Sequence, residues 1–494
     1  MNPVEPTPGQ WVTDEVPCFA VVGKVNMGKS AVLATLLEED DDRIIRISPE
    51  PGETTRCQRL SLVLDGVERL RFIDTPGFQR PVDALRAIRG LHGNDQTTPG
   101  LDVLRRFVER YRSGGEFQDE CRLLEPLLEG AGILYVVDPG VPVQDSFLAE
   151  IEILRFSGRA RLAVLNRRGA SEGAFEADWR AHLGQAFNLV RGFDAHQARF
   201  TARRELLAAL NQIDERDRDH LDATLALLDA EWAQRRETAA EHIQSFLQDA
   251  LRLRERRTYD EDGPAPATAR REAEKTAAAR YFERMSVLER ETADALLAIY
   301  RHTAVRAKPR DGFGDDLDLT SDETWRRLGL NRQQLTVASA AAGATAGLSI
   351  DAATFGHSMG LGAIIGGIGG GALAFFKGDA LPTLKADLGP LGALGGRQIT
   401  LGPPRNPNFA WVLLDSILIR YRQILSRAHA RRGDGELDAL AEPEHSIARD
   451  MPTARQKTLA KWFRQVIRDQ HDETRTAEAF AAIVDTLVDL ENDL

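Results

Sequence analysis

Eight consecutive residues, Gly23-Lys24-Val25-Asn26-Met27-Gly28-Lys29-Ser30, follow the spacing G-x-x-x-x-G-K-[ST]. Residues of these types in this order can wrap a phosphate chain. Gly23 and Gly28 let the backbone approach closely. The successive N–H groups of Asn26, Met27, Gly28, Lys29, Ser30 and Ala31 open a helix and supply positive potential. The Lys29 ammonium reaches β- and γ-phosphates in such a loop, and the Ser30 hydroxyl ligates Mg²⁺. Two further groups carry usable chemistry: Asp74-Thr75-Pro76-Gly77, and Asn166-Arg167-Arg168-Gly169.

Positioning these groups requires a sheet. "CFAVV" (Cys18 to Val22), just before the glycine loop, is a short apolar run that predicts a buried strand, and "SAVLATLL" after it predicts a helix. "RLSLVL" and "VERLRFID" flank Asp65-Gly66, a hairpin signal, and the second strand ends in the Asp74 group. "GILYVVD", "RLAVLN" and the weaker "NLVRGF" complete the strands, with helical stretches between most of them. The expected class is an α/β domain with a mostly parallel sheet and one antiparallel strand. Ligands in such sheets bind at the carboxyl ends of the strands, where Gly23, Asp74 and Asn166 all fall.

Taken together, "GKVNMGKS", "GETTRC" and "DTPG" resemble the Era/TrmE/EngA group of P-loop GTPases over about residues 15 to 200. The resemblance implies a GTP/GDP site with Mg²⁺. Thr55 is then the switch threonine on Mg²⁺ and the γ-phosphate, Asp74 holds Mg²⁺ through water, and Gly77 offers its N–H to the γ-phosphate. The family has N-K-x-D for the base, whereas this chain has "NRRG". The aspartate that accepts from guanine is missing, which weakens guanine discrimination by about ten- to a hundredfold. Asn166 is kept, and Arg167 can replace the lysine stem over the base. Glu172 or Asp194 could substitute for the carboxylate, and Ala195 would present its N–H to the guanine oxygen. Phe78 stands where many GTPases carry a water-orienting glutamine, and it is expected to pack under the switch. Asn26 stands where TrmE-like relatives use an asparagine for K⁺; the alternative is that it braces the loop. The implied catalytic set is Lys29, Thr55, Gly77 and Asn26, the implied metal set Ser30, Thr55 and Asp74, and turnover is expected to be slow without K⁺ or a partner.

Beyond this region the sequence predicts helices. The expected organisation is an N-terminal tail (1–15), the GTPase-like domain (16–200), a long helical hairpin (201–310), a polar linker (311–332), a glycine-rich apolar hairpin (333–378) and a helical C-terminal domain (379–494). Leu206, Leu210, Ile213, Leu221, Leu225, Leu228 and Trp232 recur at helical spacing in a stretch free of Gly and Pro. "RGLHGNDQTTPG" predicts a loop and "LDVLRRFVERYR" a helix, within an insertion (79–125) read as a contact surface for a protein partner. In 333–378, Gly343/Gly347, Gly356/Gly360 and Gly362/Gly366/Gly370 repeat every fourth residue in nearly uncharged sequence. That pattern suits two closely packed helices that dip into a bilayer, or a hairpin buried in a soluble domain; the membrane reading is favoured. "NPNFAWVLLDSILIRYRQILSRAHARR" predicts a helix whose Arg420, Arg422, Arg427, Arg431 and Arg432 could meet lipid headgroups or favour the helix C-terminus. The whole arrangement of the chain resembles bacterial Era-like GTPases that carry a C-terminal domain of uncharacterised function, which implies no activity for the second half.

The net charge of −12 argues against broad nucleic-acid binding. Cys18, Cys57 and Cys121 form no metal or disulfide pattern, and the first residues lack a signal-peptide pattern. A cytoplasmic protein is expected, with 333–378 at the inner membrane peripherally or integrally. The favoured function is a Mg²⁺-dependent GTPase switch with a helical effector or membrane arm. Its alternatives are a dynamin-like membrane-remodelling GTPase, a ribosome- or RNA-associated assembly factor, and a degenerate nucleotide-binding module.

Overall fold

Alternation along the first strand sets the architecture of the N-terminal unit. In β1 (Cys18–Val22), Cys18, Ala20 and Val22 join one hydrophobic cluster, and Phe19 and Val21 join the other. A strand buried on both faces must sit inside a sheet covered by helices on each side. The computed structural model describes residues 11–13, 15–40, 45, 56–92, 97–167, 173–260, 264–302, 305, 381–382, 386–387, 393–394, 397–403, 408–429 and 446–493. Thr55, Gly169, Glu172, Arg431, Arg432 and the glycine-rich segment 333–378 lie outside them.

The sheet has the order β2-β3-β1-β4-β5-β6, with β2 (Gln58–Leu64), β3 (Val67–Asp74), β4 (Gly132–Val137), β5 (Arg161–Asn166) and β6 (Leu189–Phe193). Only β2 runs antiparallel, joined to β3 through Asp65 and Gly66, both with positive φ (52° and 73°) as the tight hairpin requires. The expected fold class is therefore what the chain adopts.

One face of the sheet carries α2 (Pro81–His92), α3 (Gly100–Tyr111), α4 (Gln118–Glu129) and α5 (Asp145–Phe156). The short α6 (Glu176–Leu183) adds Trp179 and Leu183 to the same cluster. The other face carries α1 (Lys29–Leu37) and α7 (Phe200–Ile213). The loop expected from Arg89 begins as helix: α2 continues to His92, and Leu91, past Gly90, still packs against the buried cluster.

The compact first unit runs to Gln234 and includes Arg301–Ala304 and Ser426–Asp434. It thus takes in α7 and the start of α8 (Arg218–Arg252), which the sequence reading assigned to a hairpin from 201. Leu206, Leu207, Ala209 and Leu210 bury against the sheet, and buried Arg203 pairs with Glu38 at the end of α1 (2.8 Å). Helical spacing shows which face of a helix is apolar, not which core receives it.

The second unit comprises Arg235–Tyr300, Val305–Leu425 and Gly435–Leu494. Its core joins the rest of α8, α9 (Pro266–Ile299), α10 (Asn408–Ser426), α12 (Thr453–Ile467) and α13 (Glu473–Asn492), with the short α11 (Ile447–Asp450) leading into α12. The expected helical stretch through 262 is interrupted after Arg252. Residues Glu255–Tyr259 form β7, antiparallel to β11 (Arg397–Leu401), which also pairs with β8 (Leu381–Pro382). A separate short pair joins β9 (Ala386–Asp387) to β10 (Ala393–Leu394). The strand partner of β7 lies more than a hundred residues away, so local periodicity could not announce it.

Arg420 corrects a second expectation. It is 2% exposed, and α10 is a core helix with Leu413, Leu414, Ile417, Leu418, Tyr421 and Ile424 buried. Arg420 therefore does not present itself to lipid headgroups. Inside this unit Arg236 donates to Glu491 (2.7 Å), Tyr421 donates to the other oxygen of the same carboxylate (2.7 Å), and Tyr300 bonds to Tyr421 (2.8 Å). This buried polar chain ties α8, α10 and α13 together. Among the described residues no helix is long and apolar enough to cross a membrane.

Candidate functional site

The phosphate loop occupies the turn between β1 and α1. Gly23 has φ +149°, and a Cβ there would lie 2.4 Å from the Val136 carbonyl oxygen, so only glycine fits. Gly28 has φ 89° and leads directly into Lys29, the first residue of α1. Asn26 lies exposed on the loop with φ 66°, a left-handed conformation that asparagine tolerates. Met27 and Ala31 are buried, and Ser30 is half-buried.

Lys29 is 7% exposed and folds back over its own loop, donating to the carbonyls of Gly23 (3.2 Å) and Lys24 (3.4 Å). Burial lowers its pKa, while the charges of Asp74 and Glu150 oppose that shift. The cation is thus held by backbone oxygens at the mouth of the loop, with Asp74 nearby.

Parallel pairing sets Asp74 opposite Val21, one residue before the end of β1. Asp74 is 4% exposed, and Thr75 behind it donates its hydroxyl to the Val21 carbonyl (2.7 Å). Gly77 then comes against the loop: a Cβ there would stand 2.7 Å from Val25 N and 3.2 Å from Gly23 O. Phe78 is buried in the core and cannot bond a water. The structure therefore brings Gly23, Lys29, Asp74 and Gly77 to one edge of the sheet. The oxygens of Ser30 and Asp74 are hard donors of the kind Mg²⁺ takes.

The opposite end of the site is built differently. Asn166, wholly buried, donates to the Met27 carbonyl (3.2 Å) and accepts from the Ala195 N–H (3.2 Å). The Ala195 carbonyl accepts in turn from Thr35 on α1 (2.8 Å). Arg167 lies in a fork with Glu176, two contacts of 3.1 Å, and Glu176 also holds Arg180. These pairs depress the Glu176 pKa. Asp194 spends one carboxylate oxygen on the His196 N–H (2.9 Å), capping its own turn.

Several groups in this region had no sequence signal. Glu150 on α5 is fully buried and accepts from the Tyr135 hydroxyl on β4 (2.9 Å). Burial pushes its pKa up to about 8, while the Tyr135 bond and the charges of Lys24 and Lys29 pull the other way. Lys24 sits 5.0 Å above the Phe147 ring. Glu120 on α4 is 2% exposed and lies close enough to Glu150 to raise it further. Glu120, Tyr135 and Glu150 belong to no motif; the two glutamates meet only because α4 and α5 pack on the same face of the sheet. The three thiols are pushed up to about 12 by burial, so none is a ready nucleophile.

Two family models match the chain. One, described as a domain of unknown function (DUF3482), covers residues 180–489, more than half of the protein. The chain belongs to the DUF3482 family. The other, described as 50S ribosome-binding GTPase, covers residues 18–167, the stretch that holds the phosphate loop, Asp74, Gly77 and Asn166. This part of the family member is a P-loop GTPase domain. The chain is also similar to GTPase Era of Deinococcus radiodurans, 42% identical over 66 residues. That match spans 13% of this chain and only 20% of the relative.

Proposed function

We propose that this DUF3482 protein is a Mg²⁺-dependent GTP-binding and GTP-hydrolysing switch whose helical region is its effector arm. What carries this is the approach of Gly77 to the phosphate loop, alongside Asp74 at the end of β3. Lys29 neutralises β/γ-phosphate charge, Ser30, Thr55 and Asp74 hold the metal, and the Gly77 N–H meets the γ-phosphate. Mg²⁺ held there would offset the charge that develops on the phosphates. At the base, Ala195 N–H would turn to the guanine oxygen, and Arg167 would leave Glu176 to cover the ring. GTP is preferred over ATP, though by less than with a complete N-K-x-D box.

Phe78 removes the usual water-orienting side chain, so the trigger comes from elsewhere. A K⁺ ion held with the help of Asn26 supplies positive charge where an arginine finger otherwise acts. Single-turnover hydrolysis is then expected to run several-fold faster in KCl than in NaCl at equal ionic strength, with the difference lost in Asn26→Ala. Equal rates in the two salts discard the ion and leave a protein partner on residues 79–125 as the trigger. Absence of Mg²⁺-dependent turnover in either salt would favour the second reading, a degenerate nucleotide-binding module, to which the burial of Phe78 lends support.

Lipid contact rests on residues 333–378 and on exposed Arg422, since Arg420 is buried. Flotation with liposomes, with and without GTP, tests it. GTP-dependent self-assembly on the vesicles would turn the proposal toward a dynamin-like machine. The 50S ribosome in the matched family's description is a further candidate partner, one the net charge of −12 disfavours.

A further inference from the structure

The segment after Asp74 is held at two points. Upstream of Gly77, the Thr75 hydroxyl donates to the Val21 carbonyl (2.7 Å). Downstream, Phe78 sinks into the core, and the chain turns out to exposed Gln79 and Arg80 before α2 begins at Pro81. The first N–H groups at a helix start have no partner within the helix. Just ahead of that helix start, two more N–H groups find a partner far away in sequence: those of Gln79 and Arg80 both donate to Oε1 of Glu120, at 2.9 and 2.6 Å.

Glu120 is itself fixed. It stands in the first turn of α4, 2% exposed, just after Phe117. Phe117 packs with Phe107 and Tyr111 of α3, the ring centroids 5.5 and 5.1 Å away. The Arg80 guanidinium lies 5.4 Å over the Phe117 ring and 3.5 Å from Glu116. The insertion between α2 and β4 therefore closes back on the residues that follow Gly77. A buried, negatively charged acceptor shared by two backbone N–H groups is a strong anchor.

We propose that Glu120 is a positioning residue of the nucleotide switch: by anchoring the Gln79 and Arg80 backbone it orients the Gly77 N–H toward the terminal phosphate. This rests on the reading of Gly77 as the γ-phosphate donor. It gives the α3–α4 insertion a definite task, to decide how firmly the loop is set for a triphosphate rather than a diphosphate. Any partner that shifts α4 then changes the triphosphate state without touching the nucleotide.

The test is titration calorimetry of the full chain with Mg²⁺ and either GDP or a non-hydrolysable GTP analogue. Glu120→Ala is expected to weaken the analogue about tenfold, the scale of a lost hydrogen bond to a charged group, and to leave GDP within about twofold, since GDP makes no γ-phosphate contact. Glu120→Gln keeps an acceptor oxygen and is expected to recover most of the analogue affinity. Equal losses for both nucleotides would mark Glu120 as a fold-stabilising residue only and overturn the proposal, as would no loss for either. If Glu120→Ala does not fold, Glu120→Asp withdraws the carboxylate by one methylene and is read by the same ratio. A wild type that binds neither nucleotide overturns the GTPase reading, and this proposal with it.

Discussion

The two ends of the proposed nucleotide site are made of different material. At the phosphate end, recognition is by backbone: Gly23 and Gly28 at positive φ, and Gly77 pressed to within 2.7 Å of Val25 N if it had a Cβ. At the base end it falls to side chains, and these are engaged with one another. Asn166 bonds to Met27 and Ala195, and Arg167 is held by Glu176. A backbone cradle tolerates little change because glycine has no substitute there. A side-chain pocket can lose a member, as "NRRG" has lost the aspartate, while the fold around it stands.

This contrast can be tested where it should be steepest. Lys29→Ala removes a buried cation of the phosphate end, and Mg²⁺–GTP affinity is expected to fall a hundredfold or more, about 3 kcal/mol or above. Undiminished affinity by calorimetry would remove the phosphate end from the comparison altogether.

Asn166→Ala strikes the joint between the two ends. It leaves the Met27 carbonyl and the buried Ala195 N–H without their present partner, a cost of about 2–4 kcal/mol. Thermal unfolding without nucleotide is expected to shift down by roughly 5–10 °C, and the preference for GTP over ATP to collapse. If the preference survives the loss of stability, the loop at Ala195 is not part of the base end.

Gly169→Asp supplies the aspartate of a complete N-K-x-D box. The ratio of GTP to ATP affinity is expected to rise about tenfold, one charge-assisted hydrogen bond's worth, with hydrolysis of bound GTP unchanged. No rise in a competition assay would place base selection elsewhere.

The smallest effect concerns Glu150, behind the phosphate end. Burial raises its pKa to about 8, whereas an unburied carboxyl titrates near 4.5. Between those values the unfolded chain is ionised and the folded chain keeps its proton, so stability is lost as pH rises through that window. Glu150→Gln does not titrate and still accepts from Tyr135. Its melting temperature, measured without nucleotide, is expected to gain on the wild type from pH 5 to 8 and to level off above. A constant difference across pH would show that the Glu150 carboxyl is already ionised beside Lys24 and Lys29.

The phosphate loop, the Asp65-Gly66 hairpin and the strand ends at Asp74 and Asn166 were legible because each depends on a few neighbours in sequence. Positive φ calls for glycine, and alternation calls for a two-faced strand. Glu120 is a plain acidic residue in a first helical turn, and nothing in its neighbourhood predicts that it reaches back to Gln79 and Arg80. Arg420 carried a basic-patch reading and lies buried. Residues 255–259 sat in a stretch read as helix and became a strand because Arg397–Leu401 was available to pair.

The sequence by itself determined the sheet of the first unit, the phosphate cradle within it, and the helical character of most of the rest. Those follow from spacing, from glycine and from hydrophobic period, all of which are local. The tertiary structure alone decided which core takes α7, that Arg167 rests on Glu176, and that Glu120 and Glu150 gather beneath the phosphate loop. Such choices belong to long-range packing: a buried charge or an orphan N–H needs a partner, and the partner is whichever group the fold brings within about 3 Å.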